Sequence, residues 1–371
     1  MIKLVFVGDF YATNPNLINA DKSLVKLIRN SDYAICNFEG AIQSEFKPIV
    51  KSGPSIAQSK DSVNWLKNTG FNIFTFGNNH SMDYGENALK NTLNYFDEQE
   101  TLGAGDFQNA YKLLKLNKNG IKIGLLSLCQ YEFGMSISSS QNFGVAWIND
   151  PIVNDIIQSS KRDVDYLIIL PHAGVENIDI PLPEWRQRYH NFIDLGADAV
   201  IGGHPHVPQG KETYKGRPIY YSLGNFFFEK MNDSDIRHKQ SIVVTLNINK
   251  DMLIEDDYSI VERKDYNLYL KNNNTSQNIM SQLTKKISDN NIYYDEINSI
   301  VNEMWNRLYK QSLYYSLRKF TLKYGIKFCA KMIIKSILRR SDYPLLLNDF
   351  QCESHRWIIQ RALSNIISKQ S

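Results

Sequence analysis

Short apolar runs that end abruptly in small or polar residues dominate the first 230 residues of the chain. Apolar runs bounded by turn residues are typical of buried β-strands. Seven runs fit this description: 4–7, 33–36, 73–76, 123–128, 166–170, 199–201 and 219–223. The sequence therefore predicts a series of buried strands, most of which lead directly into a polar loop.

Stretches with helical periodicity lie between these runs, at 22–29, 61–68, 85–96 and 184–195. In the third of them Leu89, Leu93 and Phe96 follow the i, i+4, i+7 spacing of one helix face. Strands that alternate with helices predict an α/β domain. Later in the chain, alternation over 239–248 predicts an antiparallel strand, with 253–261 as its partner.

A polar stretch at 272–277 is interpreted as a linker, and from 278 onward the pattern is helical. The sequence thus predicts two domains, 1–265 and a helical region 278–371.

The polar residues at the strand ends carry the candidate chemistry. Ligands of open α/β sheets bind at the carboxyl ends of strands, so we expect these loops to converge on one edge of the sheet. The candidates are two carboxylates, one amide and three imidazoles: Asp9, Glu39, Asn79, His172, His204 and His206. This mixed oxygen and nitrogen set suits Mn²⁺, Zn²⁺ or Fe²⁺, and it does not suit Ca²⁺.

The segment Gly203-His204-Pro205-His206 is the sharpest of these signals. Two histidines at i and i+2 in a turn can point to two ions a few Å apart. In Gly77-Asn78-Asn79-His80, the Asn79 amide can bind one ion while His80 faces the substrate. A single histidine of this kind is more often a core or surface residue, but four histidines in such loops favour a metal site.

Composition argues against nucleic-acid binding, disulfide-rich and membrane-spanning classes of protein. The chain has 371 residues and a formal net charge of +3, which gives no reason to expect a nucleic-acid partner. Its four cysteines have neither disulfide-framework nor zinc-knuckle spacing. Because no signal peptide or membrane-spanning run is evident, we expect a cytoplasmic protein.

The motifs together resemble the calcineurin-like metallophosphoesterases and, more closely, the CapA family of capsule and poly-γ-glutamate synthesis proteins. The first resemblance is carried by Gly8-Asp9, Gly77-Asn78-Asn79-His80, Pro171-His172 and Gly203-His204-Pro205-His206. The second adds Asn37-Phe38-Glu39-Gly40, His172-Ala173-Gly174-Val175-Glu176 and Tyr221-Ser222-Leu223-Gly224-Asn225-Phe226. The resemblance covers residues 1 to about 250 and leaves out the C-terminal third.

This resemblance implies a four-layer α/β/β/α sandwich with two divalent metal ions. Carried over, Glu39 bridges the ions, Asp9 and His206 hold the first, and a second set holds the other: Asn79, His172 and His204. His80 would stabilise the transition state or protonate the leaving group. The chain departs from the wider superfamily in having Tyr11 where a histidine is usual, and Glu39 where the bridge is usually Asp.

Four further residues are candidates for supporting roles. Asp83 and Glu176 are interpreted as carboxylates that orient metal-bound histidines, or alternatively as a loop cap and a surface acid. Asn225 either contacts substrate or closes a turn, and Asn37 either lies beside the metals or is structural.

The C-terminal region contains a basic amphipathic segment, 318–340, in which lysines recur every four residues from Lys319 to Lys335. Such a segment fits an anionic membrane surface at the inner face of the membrane, or an acidic partner such as a synthase. The alternative is an ordinary helix with a solvated basic face.

Two functions remain open on the sequence. The first is a metal-dependent hydrolase of a phosphoester or related bond, with a surface-polymer precursor or polymer as substrate, in capsule, exopolysaccharide or poly-γ-glutamate biosynthesis. The alternative is a non-catalytic, metal-containing assembly factor for a surface-polymer synthase.

Overall fold

Two β-sheets with helices on their outer faces make up the described structure. The computed structural model describes residues 1–133, 135–139, 141–229, 234–250, 254–310 and 343–368. The predicted basic segment 318–340 lies outside these residues. Within the described ranges, no helix is both long enough and apolar enough to cross a bilayer.

The first sheet has nine strands built around the N-terminal strand. They are β1 (Ile2–Tyr11), β2 (Asn19–Ala20), β3 (Tyr33–Phe38), β6 (Ile73–Thr75), β7 (Thr101–Leu102), β16 (Asn225–Phe228), β17 (Gln240–Ile248), β18 (Ile254–Lys264) and β19 (Asn267–Leu270). Their order is β2-β19-β18-β17-β1-β3-β6-β7, and β16 pairs with β1. The run β1-β3-β6-β7 is parallel, so these strands present their carboxyl ends at one edge.

The second sheet has six strands in the order β14-β15-β13-β12-β10-β9. They are β9 (Leu114–Lys118), β10 (Ile121–Cys129), β12 (Tyr166–His172), β13 (Ala199–Ile201), β14 (Lys211–Tyr214) and β15 (Arg217–Tyr220). The central strands β10, β12, β13 and β15 are parallel. Two small ladders complete the strands, β4 (Ala41–Ile42) with β5 (Ala57–Gln58) and β8 (Ala104–Gly105) with β11 (Gly144–Val145).

The helices are α1 (Lys22–Arg29), α2 (Asp61–Thr69), α3 (Gly85–Leu93), α4 (Phe107–Ala110), α5 (Ile152–Asp163), α6 (Pro183–Asp194), α7 (Asn273–Ser288), α8 (Asn290–Met304), α9 (Tyr343–Gln351) and α10 (Glu353–Ser368). Single-turn 3-10 segments occur at Pro15–Leu17, Glu98–Glu100 and Ile236–Lys239, and a π-helical turn, Trp305–Tyr309, follows α8.

Three buried clusters show how these elements form layers. One cluster joins the facing sides of the two sheets, with Leu4 and Phe6 from the first and Ile123 and Ile168 from the second. A second cluster packs α1, α2 and α3 on the outer side of the first sheet. A third packs α5, α6, α8 and α10 on the outer side of the second. The order is therefore α/β/β/α, which confirms the fold expected from the resemblance.

The predicted elements agree with the observed ones to within a few residues at most ends. Helix α1 spans the predicted 22–29, and β17 spans nearly all of 239–248. The predicted linker at 272–277 is wrong, because α7 begins at Asn273. Asn272 caps that helix by accepting a hydrogen bond from the Thr275 backbone N–H at 2.9 Å.

The described C-terminal helices contribute side chains to the same core as the second sheet. Tyr293, Ile297 and Ile358 belong to the cluster that contains Leu167 and Trp185. The division of the chain into domains 1–265 and 278–371 stays a prediction.

Candidate metal centre

The strand that carries Asp9 is irregular at that residue. Its register against β3 shifts between Phe6 and Asp9, and its register against β16 shifts between Asp9 and Phe10. Gly8 allows β1 to pass close to the Gly224 backbone, because a Cβ at position 8 would lie 1.8 Å from the Gly224 carbonyl oxygen. The strand continues to Tyr11, so Asp9 lies within β1 and not beyond its end as the sequence suggested. The result is a fully buried carboxylate at the junction of the two sheets.

Asn37 connects the two carboxylates of the centre. Its Nδ2 lies 2.8 Å from Asp9 Oδ1, 3.4 Å from Glu39 Oε2 and 3.3 Å from His172 Nδ1. Its Oδ1 accepts from Thr75 Oγ1 at 3.0 Å and from Asn78 Nδ2 at 3.1 Å. Asn37 therefore lies beside the predicted metal ligands and holds them at fixed positions.

Three predicted ligands of the second ion lie together. His172 Nε2 is 3.0 Å from Asn79 Oδ1 and 3.2 Å from His204 Nδ1. Two backbone bonds fix the histidine loops to each other, Gly203 N–H to Pro171 O at 2.9 Å and Ala173 N–H to Gly203 O at 3.1 Å. His172 Nε2 therefore contacts both of the other predicted ligands of this ion.

His206 also lies close to Glu39. Its Nε2 is 3.8 Å from Glu39 Oε1, and its Nδ1 is 2.9 Å from Asn225 Oδ1. His204 and His206 both have positive φ, 96° and 60°. Left-handed backbone at a residue other than glycine is uncommon and occurs often at functional sites.

Tyr11, which replaces the usual histidine, is buried near this first site. It packs with Ile56 and Phe228 in a small apolar cluster, and the Phe228 ring contacts the His206 ring with centroids 4.8 Å apart. The place of the missing ligand is thus taken by aromatic packing.

His80 lies near Glu39 at the end of a buried series of charged side chains. Its Nδ1 is 2.7 Å from Asp83 Oδ2, and its Nε2 is 3.9 Å from Glu39 Oε1. Asp83 Oδ1 pairs with Lys51 Nζ at 2.5 Å, and the Lys51 side chain is only 3% exposed. Asp83 therefore orients His80 rather than a predicted metal ligand.

The electrostatics of the centre fit a bound cation. Burial, together with the charge of Asp9, raises the pKa of Glu39 well above its usual value. Burial and the neighbouring histidines lower the pKa values of His172 and His204, so these rings are neutral and able to bind metal. Glu39 Oε1 is buried with no hydrogen-bond partner among the described residues. A buried carboxylate oxygen without a partner, 3.8 Å from His206 Nε2, fits the expected bridge between divalent ions.

Gln130 and Glu132 also face this centre, beyond His204. Gln130 Nε2 lies 2.8 Å from His204 Nε2, and Glu132 Oε2 lies 3.2 Å from the same atom. Glu176, predicted from sequence, lies with Glu132 and His204 in a group whose ligand atoms are within 4.8 Å of one another. Gln130 was missed, although it directly follows β10 in the same strand-to-loop pattern as the residues that were found.

The C-terminal helices cover this side of the centre. Ser354 Oγ lies 2.8 Å from Gln130 Oε1 and 2.5 Å from Gly174 O. The Glu353 carboxylate accepts from the Tyr131 backbone N–H and from Trp147 Nε1, each at 2.7 Å. Nothing in the sequence pattern of α10 indicated this contact.

The sequence model of the bacterial capsule synthesis protein PGA_cap family matches residues 3–230. This chain belongs to that family. The matched segment contains every predicted ligand, and the C-terminal helices lie beyond it.

Two curated relatives give the degree of similarity. The PGA biosynthesis protein CapA of Bacillus subtilis (strain 168) is 34% identical over 211 residues, which is 55% of this chain and 55% of that protein. The capsule biosynthesis protein CapA of Bacillus anthracis is 29% identical over 213 residues, 55% of this chain and 52% of that protein. The chain thus spans about half the length of these relatives.

Solved structures are more distant. A hypothetical protein from Thermus thermophilus is 14% identical with a TM-score of 0.47, covering 71% of this chain and 100% of its own. The 5'-nucleotidase from Candida albicans is 15% identical with a TM-score of 0.43, covering 83% of this chain and 58% of its own. Both TM-scores are below 0.5, and the α/β/β/α layer order follows from the strands and buried clusters of this chain itself.

Proposed function

We propose that the chain is a metal-dependent hydrolase of a phosphoester or related bond, with a dinuclear centre held by the six predicted ligands. The supporting observation is the orphaned Glu39 Oε1, which is buried 3.8 Å from His206 Nε2 and 3.9 Å from His80 Nε2. One oxygen of the same carboxylate lies within 4.8 Å of an Asp9 oxygen and a His172 ring nitrogen. Manganese, zinc and iron all suit this donor set.

The chain's own residues define how such a centre would work. Glu39 would bridge the ions, and Asn37 would keep Glu39 and Asp9 in place through its Nδ2 contacts. Asn225 would orient His206 through the contact at its Nδ1 and leave Nε2 free as a ligand. Two divalent cations there would polarise the scissile bond and lower the pKa of a nucleophilic water.

His80 would act on the substrate. Asp83 accepts from Nδ1, which fixes the ring and directs Nε2 toward the space beside Glu39 Oε1. When protonated, Nε2 can donate to the oxygen of the leaving group, as a general acid or as a stabiliser of developing negative charge. Lys51 Nζ would hold Asp83 in place through its contact with the other carboxylate oxygen.

The names of the relatives suggest the pathway. Two of them are CapA proteins of capsule and PGA biosynthesis, so we propose that this hydrolase acts on a surface polymer or its precursor. A contact with a synthase or a membrane surface through 318–340 stays a prediction.

The test compares His80→Ala with the unchanged protein, both loaded with Mn²⁺, on a generic phosphodiester and on capsule-type polymers. We expect hydrolysis by the unchanged protein, a loss of roughly 10²-fold or more in the variant, and equal metal content in both. His190→Gln, at a half-buried histidine paired with Glu212 away from the centre, is the matched control.

The competing function is a non-catalytic assembly factor, which the aromatic packing at Tyr11 in place of a ligand favours. That function requires no turnover by the metal-loaded protein. It also requires normal polymer production by a His80→Ala strain, together with loss of polymer on deletion of 278–371. Those results would refute the hydrolase.

A further inference from the structure

A second group of metal-binding side chains lies where the C-terminal helices meet the body of the protein. The ligand atoms of Glu132, Cys352 and His355 all lie within 4.8 Å of one another. Glu132 is 2% exposed and Cys352 is fully buried. Of the three, only His355 reaches solvent, with a side chain that is 24% exposed, so a small ion has a route to the group.

Each of the two C-terminal residues is held in position by its surroundings. Cys352 occupies the single-residue break between α9 and α10, where its backbone N–H donates to Asn348 O at 2.9 Å. His355 Nδ1 lies 3.3 Å from Asp349 Oδ1, a buried carboxylate. A carboxylate on one ring nitrogen is the usual partner of a metal-bound histidine, because it orients the ring and leaves the other nitrogen as the ligand.

Glu132 is held by side chains that lie outside the C-terminal helices. Its Oε2 accepts from Gln130 Nε2 at 2.8 Å and lies 3.2 Å from His204 Nε2. These contacts fix the carboxylate and leave its other oxygen available to a cation. Gln130 Nε2 also lies 4.0 Å from Cys352 Sγ, so the thiol is adjacent to the same amide.

We propose that Glu132, Cys352 and His355 form a further divalent-metal site of the zinc class, separate from the strand-end centre. A thiolate, an imidazole and a carboxylate are the three donor types that Zn²⁺ prefers, and three protein ligands leave one position open. Cys352 and His355 lie beyond the segment matched to the family, whereas Glu132 lies within it. Its ion would be linked to the main centre through Glu132 and His204.

The test is spectroscopic and does not depend on turnover. Full-length protein stripped of metal is titrated with Co²⁺, whose bond to a thiolate gives a charge-transfer absorption in the near-ultraviolet. We expect this absorption in the unchanged protein and its loss in Cys352→Ser. Zinc content should fall by one ion per chain in the same variant.

Other thiols provide matched controls. Cys36→Ala and Cys129→Ala, at the other described free cysteines, should keep the absorption, as should Cys329→Ala. His80→Ala should keep it as well, so that failure of the hydrolase and failure of this site give different results. Absence of the absorption in the unchanged protein, or its persistence in Cys352→Ser, would overturn the proposal.

His355→Gln keeps the test decisive if Cys352→Ser does not fold. It should weaken Co²⁺ binding at the thiolate at least tenfold while circular dichroism shows unchanged helix content. Unaltered affinity in this variant would also contradict the site.

Discussion

The strand-end centre and the C-terminal helices meet at one place but differ in how the chain encodes them. The centre is built from short motifs, each attached to its own strand, within the segment that matches the family. The helices lie outside that segment and reach the centre through contacts such as Glu353 to Tyr131, 222 residues apart in sequence. The candidate ligands thus lie in local motifs, whereas the helices that cover them are held by long-range packing.

This difference has a consequence for mutation. Changing a strand-end ligand removes metal chemistry and relieves the burial of charge, so the fold should largely survive. Changing a helix contact leaves buried donors unsatisfied, so stability should fall first. Five substitutions test this division, in decreasing order of the change that each should produce.

Glu39→Gln should have the largest effect. An amide cannot bridge two cations as a carboxylate does, so we expect hydrolysis to fall by ~10³-fold or more, which corresponds to about 4 kcal/mol. Turnover and bound metal are measured together. Glu98→Gln, at an exposed surface acid, is the control. Retention of both metals by Glu39→Gln would contradict the assignment of the bridge.

Asp83→Asn should reduce turnover by roughly 10–100-fold while leaving metal content unchanged. The variant loses the charge that orients His80 and pairs with Lys51. Asp163→Asn, at an exposed ion pair with Lys115, should have no effect. A parallel loss of metal in Asp83→Asn would instead place Asp83 among the groups that support the ligands.

Asn225→Ala should weaken binding at the first ion by about 10–100-fold, because His206 loses the partner that orients it. The measurement is metal affinity by competition with a chelator. Asn298→Ala, on the surface of α8, serves as the control. An unchanged affinity would favour a role for Asn225 in closing the turn before β16.

Glu353→Ala should destabilise the fold by about 2 kcal/mol. The buried carboxylate accepts from Tyr131 N–H, Trp147 Nε1 and Asn149 Nδ2, and its removal orphans these donors. Urea unfolding measures the change, with Glu303→Ala, 69% exposed on α8, as the control. A loss of turnover without a loss of stability would place α10 in the chemistry itself.

A pH dependence of stability in chelator-treated protein should be the weakest signal. Burial, followed by the charge of Glu176, raises the pKa of Glu132 from its ordinary value of 4.5 to about 8. Between these values the folded chain holds a proton that the unfolded chain releases, so stability is fully present below pH 4.5 and falls as the pH rises to about 8. We expect a decline of roughly 1 kcal/mol or more over that window.

Glu132→Gln should flatten the decline, because an amide does not titrate. Unfolding by urea at several pH values checks this. A decline of equal slope in the variant would assign it to another group.

Most of the candidate ligands could be predicted because they lie at the last residue of a buried strand or in the loop that follows it. Asp9, inside β1, is the exception. His172 at the end of β12 and Asn79 after β6 are found in this way. Gln130 directly follows β10 in the same way. It was not predicted, because glutamine is a rare metal ligand. Lys51 was not predicted either. Its role depends on an ion pair with Asp83, 32 positions away, and no local pattern connects the two residues.

Local sequence patterns were enough to predict the order of the strands and helices along the chain, the types of candidate ligand and the strand ends that carry them. Apolar periodicity and turn residues act over a few positions, and so they can be recognised in one dimension. Folding then places Asp9 and His172 on two different sheets, with Glu39 Oε1 buried near His80 and His206. No local pattern contains that arrangement.

The approach of Cys352 and His355 to Glu132, more than 200 residues away in the chain, likewise exists only in three dimensions. Helix periodicity says which face of α10 is apolar, but it cannot say against what that face packs. That choice is made by contacts such as Trp185 with Trp357, which are available only once the sheets have formed.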